Sequence, residues 1–147
     1  MEALNNIACL MADDFPPDRA PEGLKYANQA VSEMGQLGRT ETRLLDTQAW
    51  LQILTGSAGD GIHTLNTIMD GFEIFPDEYY HLGEGYLRLD TPDPVQAETQ
   101  AKLGLQMVNK RNAGDADASV RAKLQDLFNR SETLRKAKLQ QAEAPAP

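Results

Sequence analysis

Bulky and tiny side chains alternate along this chain in a pattern that repeats. In the stretch Pro76 to Leu89, the residues Tyr79, Leu82, Gly83 and Tyr86 fall at i, i+3, i+4 and i+7, which puts three large groups and one glycine on a single helix face. After a turn at Asp90-Thr91-Pro92-Asp93-Pro94, the small residues Ala97, Ala101 and Gly104 form a stripe at spacings of four and three. Large groups on one helix facing small ones on the next let two antiparallel helices approach closely. The same offsets recur upstream as Leu45, Gln48, Ala49 and Gln52 followed by Gly61, Leu65 and Ile68, and again as Leu4, Ile7, Ala8 and Met11 followed by Gly23, Ala27 and Ala30. The predicted elements are helices from about Glu2 to Asp14, Pro21 to Gly35, Thr40 to Thr55, Asp60 to Phe72, from Pro76, and about Pro94 to Asn109, broken at Pro16-Pro17, Gly38 and Gly56-Ser57-Ala58-Gly59. The fourth of these holds Gly61, Gly71 and β-branched Ile62, Thr64, Thr67 and Ile68, so it should be the most weakly held.

Gln48 and Leu82 are 34 residues apart, and the order bulky, bulky, small, bulky, turn, small, small, small resembles the tetratricopeptide (TPR) repeat, a 34-residue helix-turn-helix unit. The resemblance covers residues 2 to about 108. It departs from the family at Gln48 and Gln52, where apolar or aromatic groups are usual, and the first and third turns need extra residues. A generic antiparallel bundle with small residues in phase is the alternative. The resemblance implies an all-α fold, an α-solenoid (TPR superhelix) of about seven helices. Its units would be residues 1–38, 39–75 and 76–110, followed by a capping helix at 115–139 and a disordered tail at 140–147. That capping helix carries the stripe Val120, Leu124, Leu127, Phe128 and Leu134 among basic residues, with Asp115 or Asp117 able to cap it. Since Met1-Glu2-Ala3 runs into a helical face with no lead-in, the chain reads as the C-terminal piece of a larger protein.

By resemblance, the first helix of each unit lines a concave groove that holds a partner's peptide or helix. The groove positions would be Asn5, Cys9 and Ala12, then Arg43, Asp46, Trp50 and Ile53, then Tyr80, Glu84 and Arg88. Trp50 serves either as a groove anchor or as packing between helices. One TPR subclass clamps the C-terminal carboxylate of chaperone tails with Lys, Asn and Arg. The corresponding positions here are Asn5, Cys9, Thr47, Asp77 and His81, and an aspartate would repel that carboxylate.

Charge sharpens the expected partner. Residues 1–104 carry 17 acidic and 6 basic side chains, and residues 105–147 carry 5 acidic and 8 basic, within a net charge of -8. Acidic repeats disfavour nucleic acid and suit a basic or amphipathic protein segment, or they simply keep the surface solvated. No apolar run approaches a membrane span, so no membrane partner is expected. With one cysteine and two histidines, a metal site is not expected, and no cofactor motif is present. Cys9 lacks a neighbouring His or Lys, His81 reads as a helix-surface residue, and adjacent carboxylates such as Asp77-Glu78 diverge around a helix; no enzyme is expected. The expected function is a protein-interaction scaffold, the alternative a self-associating homo-oligomeric module whose basic last helix docks on a neighbour's acidic repeats. The compartment is not fixed by the residues.

Overall fold

The computed structural model of the chain describes residues 1–13, 17–110 and 115–143. It is all-α, with helices α1 (Glu2–Asp13), α2 (Ala20–Gln36), α3 (Thr42–Leu54), α4 (Ala58–Gly71), α5 (Pro76–Leu87), α6 (Pro94–Lys110) and α7 (Asp115–Glu143), plus one 3-10 turn at Pro17–Arg19. No strand occurs among the described residues. The chain divides into two compact units, Met1–Ile74 and Phe75–Pro147.

Local chemistry sets most helix ends. Gly38 and Gly56 adopt φ of 63° and 94° after α2 and α3, the left-handed turn that lets later N–H groups reach back to the last helical carbonyls. Arg39 N thus donates to Met34 O at 3.2 Å, and Ser57 N to Gln52 O at 2.8 Å. At the start of α6, Asp93 Oδ1 accepts from the N–H groups of Val95 and Gln96 at 3.1 and 3.0 Å. Glu78 reaches back to accept from Phe75 N at 2.7 Å, closing the start of α5.

In the first unit, α1 and α2 form an antiparallel hairpin, and α3 packs on both of them. Ala8, Ala20, Ala27 and Leu51 make one part of its core; Ala30, Met34 and Leu44 make another, with Leu4 and Leu45 against it. The α4 helix packs on α3 through Gly61, with Leu65 and Ile68 fully buried on the same face. The second unit repeats the relation, since α5 and α6 pair and α7 packs on both. Its core joins Ala97, Ala101 and Leu127 in one cluster and Val108, Val120 and Leu124 in another, with Tyr79 and Tyr80 against the second.

The two helices of each hairpin meet where the sequence is smallest. A Cβ built on Gly23 would lie 2.9 Å from Met11 Cβ and 3.4 Å from the Ala8 carbonyl oxygen; on Gly61 it would lie 2.6 Å from the Ala49 carbonyl; on Gly83 it would lie 3.4 Å from the Ala97 carbonyl and 2.5 Å from Leu127. The pairs Ala8/Gly23, Ala49/Gly61 and Gly83/Ala97 occupy the same two positions of the sequence pattern. Each of the three hairpins therefore crosses at one register.

Three boundaries differ from expectation by two residues or more, the first being α3, which begins at Thr42 rather than Thr40. Helix α4 begins at Ala58, two residues earlier than Asp60, because Ala58 is itself buried and Ser57 O accepts the Gly61 N–H at 3.1 Å. Helix α7 continues to Glu143, past 139; Lys138 donates to Pro92 O, Leu139 lies half exposed beside the α5–α6 turn, and Gln140 to Ala142 are exposed. The expected tail beyond Glu143 lies outside the described residues, as do residues 14–16 and 111–114 and the side chains of Asp115 and Asp117.

These crossings give a stability test. Gly61→Val should cost about 1–3 kcal/mol in urea unfolding, because the obstacle is a backbone carbonyl that cannot rotate aside. Gly59→Ala, with open space around its Cβ, should be neutral or gain up to about 1 kcal/mol from helix propensity.

Candidate interaction surface

The positions assigned to a groove fall in both units. In the first, α1 and α3 run parallel, since each is antiparallel to α2, and their adjoining edge carries a polar cluster. Asn5 Nδ2 donates to Cys9 Sγ at 3.7 Å, and Cys9 Sγ lies 3.3 Å from Thr47 Oγ1. Thr47 Oγ1 already donates its single proton to Arg43 O at 2.9 Å, so the Cys9 thiol is the donor to Thr47. Asn5, Cys9 and Asp46 are half-buried and Arg43 is exposed, so these four side chains offer accessible edges.

Trp50 and Ile53 do not. Trp50 is 7% exposed and Ile53 is buried against Gly61, so both are interior groups, and of the two roles open to Trp50 its burial fits packing between helices. Ala12 packs beside the core of Ala8, Ala27 and Leu51. The physical reason is register: α3 carries buried residues at Leu44, Thr47, Ala49, Trp50, Leu51 and Ile53, more than one face of its circumference.

In the second unit, the face shared by α5 and α7 is occupied by an ionic network. Glu84 is 3% exposed. It binds Arg130 of α7 and, at 3.4 Å, Arg88 one turn ahead; Arg130 also pairs with Asp126 at 2.7 Å. Glu84 is therefore not available as the open groove residue expected from its position, while Arg88 remains exposed. Tyr80 lies beside this network with Lys123 Nζ 5.5 Å from its ring centre. Burial, reinforced by the negative charge of Glu84 and opposed by Arg130 and Arg88, pushes its hydroxyl up to about 12, so it stays a neutral hydrogen-bonding group. Burial works against the charge of Arg130, yet Glu84 and then Asp126 outweigh it and raise its pKa.

A second carboxylate repeats the device on α6. Glu98 is buried and accepts from Lys102 Nζ and Arg135 Nε, both at 2.6 Å. Hydrogen bonds from Lys102 and then Arg135 hold its pKa below the usual carboxylate range, against the opposing effect of burial. Glu84/Arg88 and Glu98/Lys102 stand at i,i+4 spacing, but nothing in the sequence links them to Arg130 and Arg135, which arrive from another helix. His81, expected on the surface, is buried, with its ring centre 5.7 Å from that of Tyr80.

Among the described residues no group of three His, Cys, Asp or Glu side chains could hold a metal ion, and no helix is long and apolar enough to cross a membrane. Comparison of the chain with protein-family models, with curated proteins and with solved structures gives no match.

Two measurements follow from this geometry. Trp50→Ala should destabilise the protein by about 3–5 kcal/mol, read as a drop in the urea midpoint, because it empties a buried site. Because the folded-state pKa of Glu98 is depressed, its contribution is present above the unfolded value of about 4.3 and is lost as pH falls through the lower folded value. Glu98→Gln should therefore lower stability near neutral pH and flatten the loss below about pH 4, measured by urea unfolding at a series of pH values.

Proposed function

We propose that this chain is a TPR-like protein-interaction module, not an enzyme. Its α1/α3 edge takes a basic or amphipathic peptide or helix of a partner protein, with no cofactor, nucleic acid or membrane involved. The observation that carries the reading is the recurrence of one crossing register in all three hairpins, Ala8/Gly23, Ala49/Gly61 and Gly83/Ala97. A generic bundle has no reason to repeat the same small pair at the same offset, whereas stacked helical hairpins need it to hold their pitch.

The polar edge of Asn5, Cys9, Arg43 and Asp46 corresponds, by the TPR resemblance, to the face on which partner segments lie. Residues 1–74 hold 11 acidic and 4 basic side chains, a balance of -7, which favours a cationic partner by long-range attraction. The alternative of self-association through a basic α7 is weaker, because Arg130, Arg135 and Lys136 are already paired with Glu84, Glu98 and Glu132 inside their own unit.

The test is an array of basic amphipathic 15-residue peptides and their charge-reversed counterparts, followed by amide chemical-shift mapping of any binder. Shifts should centre on residues 5–9 and 43–47, and Asp46→Lys should weaken binding by about fivefold or more with little change in melting temperature. Shifts elsewhere, or equal binding of the acidic peptides, would overturn the reading.

A further inference from the structure

At one end of the second unit, the α5–α6 turn and the last turns of α7 line an open groove of about 370 Å³. Its walls are Pro92, Pro94, Val95 and Leu139, with Arg135 and Lys138 along one side. Val95 is 56% exposed and Leu139 52% exposed, so two large aliphatic groups keep half their surface in water at one place. Scattered exposed aliphatics are ordinary; two of them lining one groove together with two prolines make a seat for an apolar side chain.

The cation at this seat differs from its near neighbours on α7. Arg130, Arg135 and Lys136 all meet carboxylates. Lys138 instead donates to the Pro92 carbonyl oxygen at 2.5 Å, a neutral acceptor, and among the described residues no carboxylate forms an ion pair with it. Asp93, the acidic side chain lining the groove, is turned to the start of α6 and accepts from two backbone N–H groups there. A cation is thus held at the groove edge with its charge unmatched, in a protein whose overall charge is -8.

We infer that this groove is a second interaction site, separate from the α1/α3 edge, and that it takes a short segment of a partner protein combining an aliphatic side chain with a carboxylate. The aliphatic group sits between Val95 and Leu139 on the proline floor. The carboxylate lies over Lys138, giving the ammonium an ionised acceptor beside the neutral Pro92 carbonyl. The partner's chemistry is opposite to that proposed for the α1/α3 edge, so the two sites select different segments.

The probe is an N-acetylated, C-amidated pentapeptide of leucine, glutamate, aspartate, leucine and glutamate, titrated into the full chain and followed by amide chemical shifts. Shifts should be confined to residues 92–96 and 135–139 and should vanish for the peptide with lysines in place of its acidic residues. Lys138→Glu and Val95→Ser should each weaken binding by roughly fivefold or more, the scale of one exposed charge pair or half-buried side chain, while Lys136→Glu should leave it unchanged. Melting curves check that each variant is folded, and Lys138→Gln replaces the charge reversal should that variant unfold. The inference is overturned if no shift appears at several millimolar peptide, if the lysine peptide binds equally, if shifts fall on another face, or if the groove resonances move with protein concentration alone, which would make the occupant a second copy. Failure here leaves the α1/α3 reading intact, since that site is read from different residues and a peptide of opposite charge.

Discussion

Helices in this protein can come together only where a side chain has been given up. At Gly61 and Gly83 the neighbouring helix stands so near that even a methyl group would collide with a backbone carbonyl or a leucine terminus. Close approach at these points brings the larger residues on either side, Leu51, Leu65, Leu82 and Leu127 among them, into full burial. Dispersion and hydrophobic gains then accrue along each helix from one contact that contributes little by itself. Helices such as α4, rich in residues of poor helical propensity, hold their shape through this burial.

The second unit adds an electrostatic layer over the same architecture. Glu84 and Glu98 sit on successive helices, each met by a cation one turn ahead on its own helix and by an arginine from α7. A buried carboxylate left alone would carry a large desolvation penalty, so the arginines are required partners once the acids are buried. Their main effect is to fix how α7 lies along α5 and α6, because each pair is satisfied in one register only. This leaves Arg130, Arg135 and Lys136 paired within the unit, while Arg121, Lys123 and Lys138 meet an amide, an aromatic ring and a backbone carbonyl.

The two proposed sites differ in how they are built. The α1/α3 edge is shallow and polar, with a thiol, an amide and a hydroxyl linked in a chain between parallel helices. The groove at the end of the second unit is apolar with one cation, formed where a proline-rich turn meets a long helix. An acidic first unit and a locally cationic groove would let one chain engage segments of opposite charge without competition between them.

Helix number, turn glycines and the small-residue register were legible in the residues, because those features depend on local backbone preference and on a period of 3.6 that any amphipathic helix must obey. Gly38 and Gly56 were legible for the same reason, since only their conformational freedom suits the turns they make. Which face of α3 is buried was not: Trp50 and Ile53 share their spacing with accessible Arg43 and Asp46, and only the arrival of neighbouring helices separates them. The burial of Glu84, Glu98 and His81, and the choice of Arg130 and Arg135 as partners, were equally decided by tertiary structure. A local pattern records what each helix offers, but burial and ion pairing depend on which two distant segments are brought within a few ångströms, and that is set by packing of the whole unit.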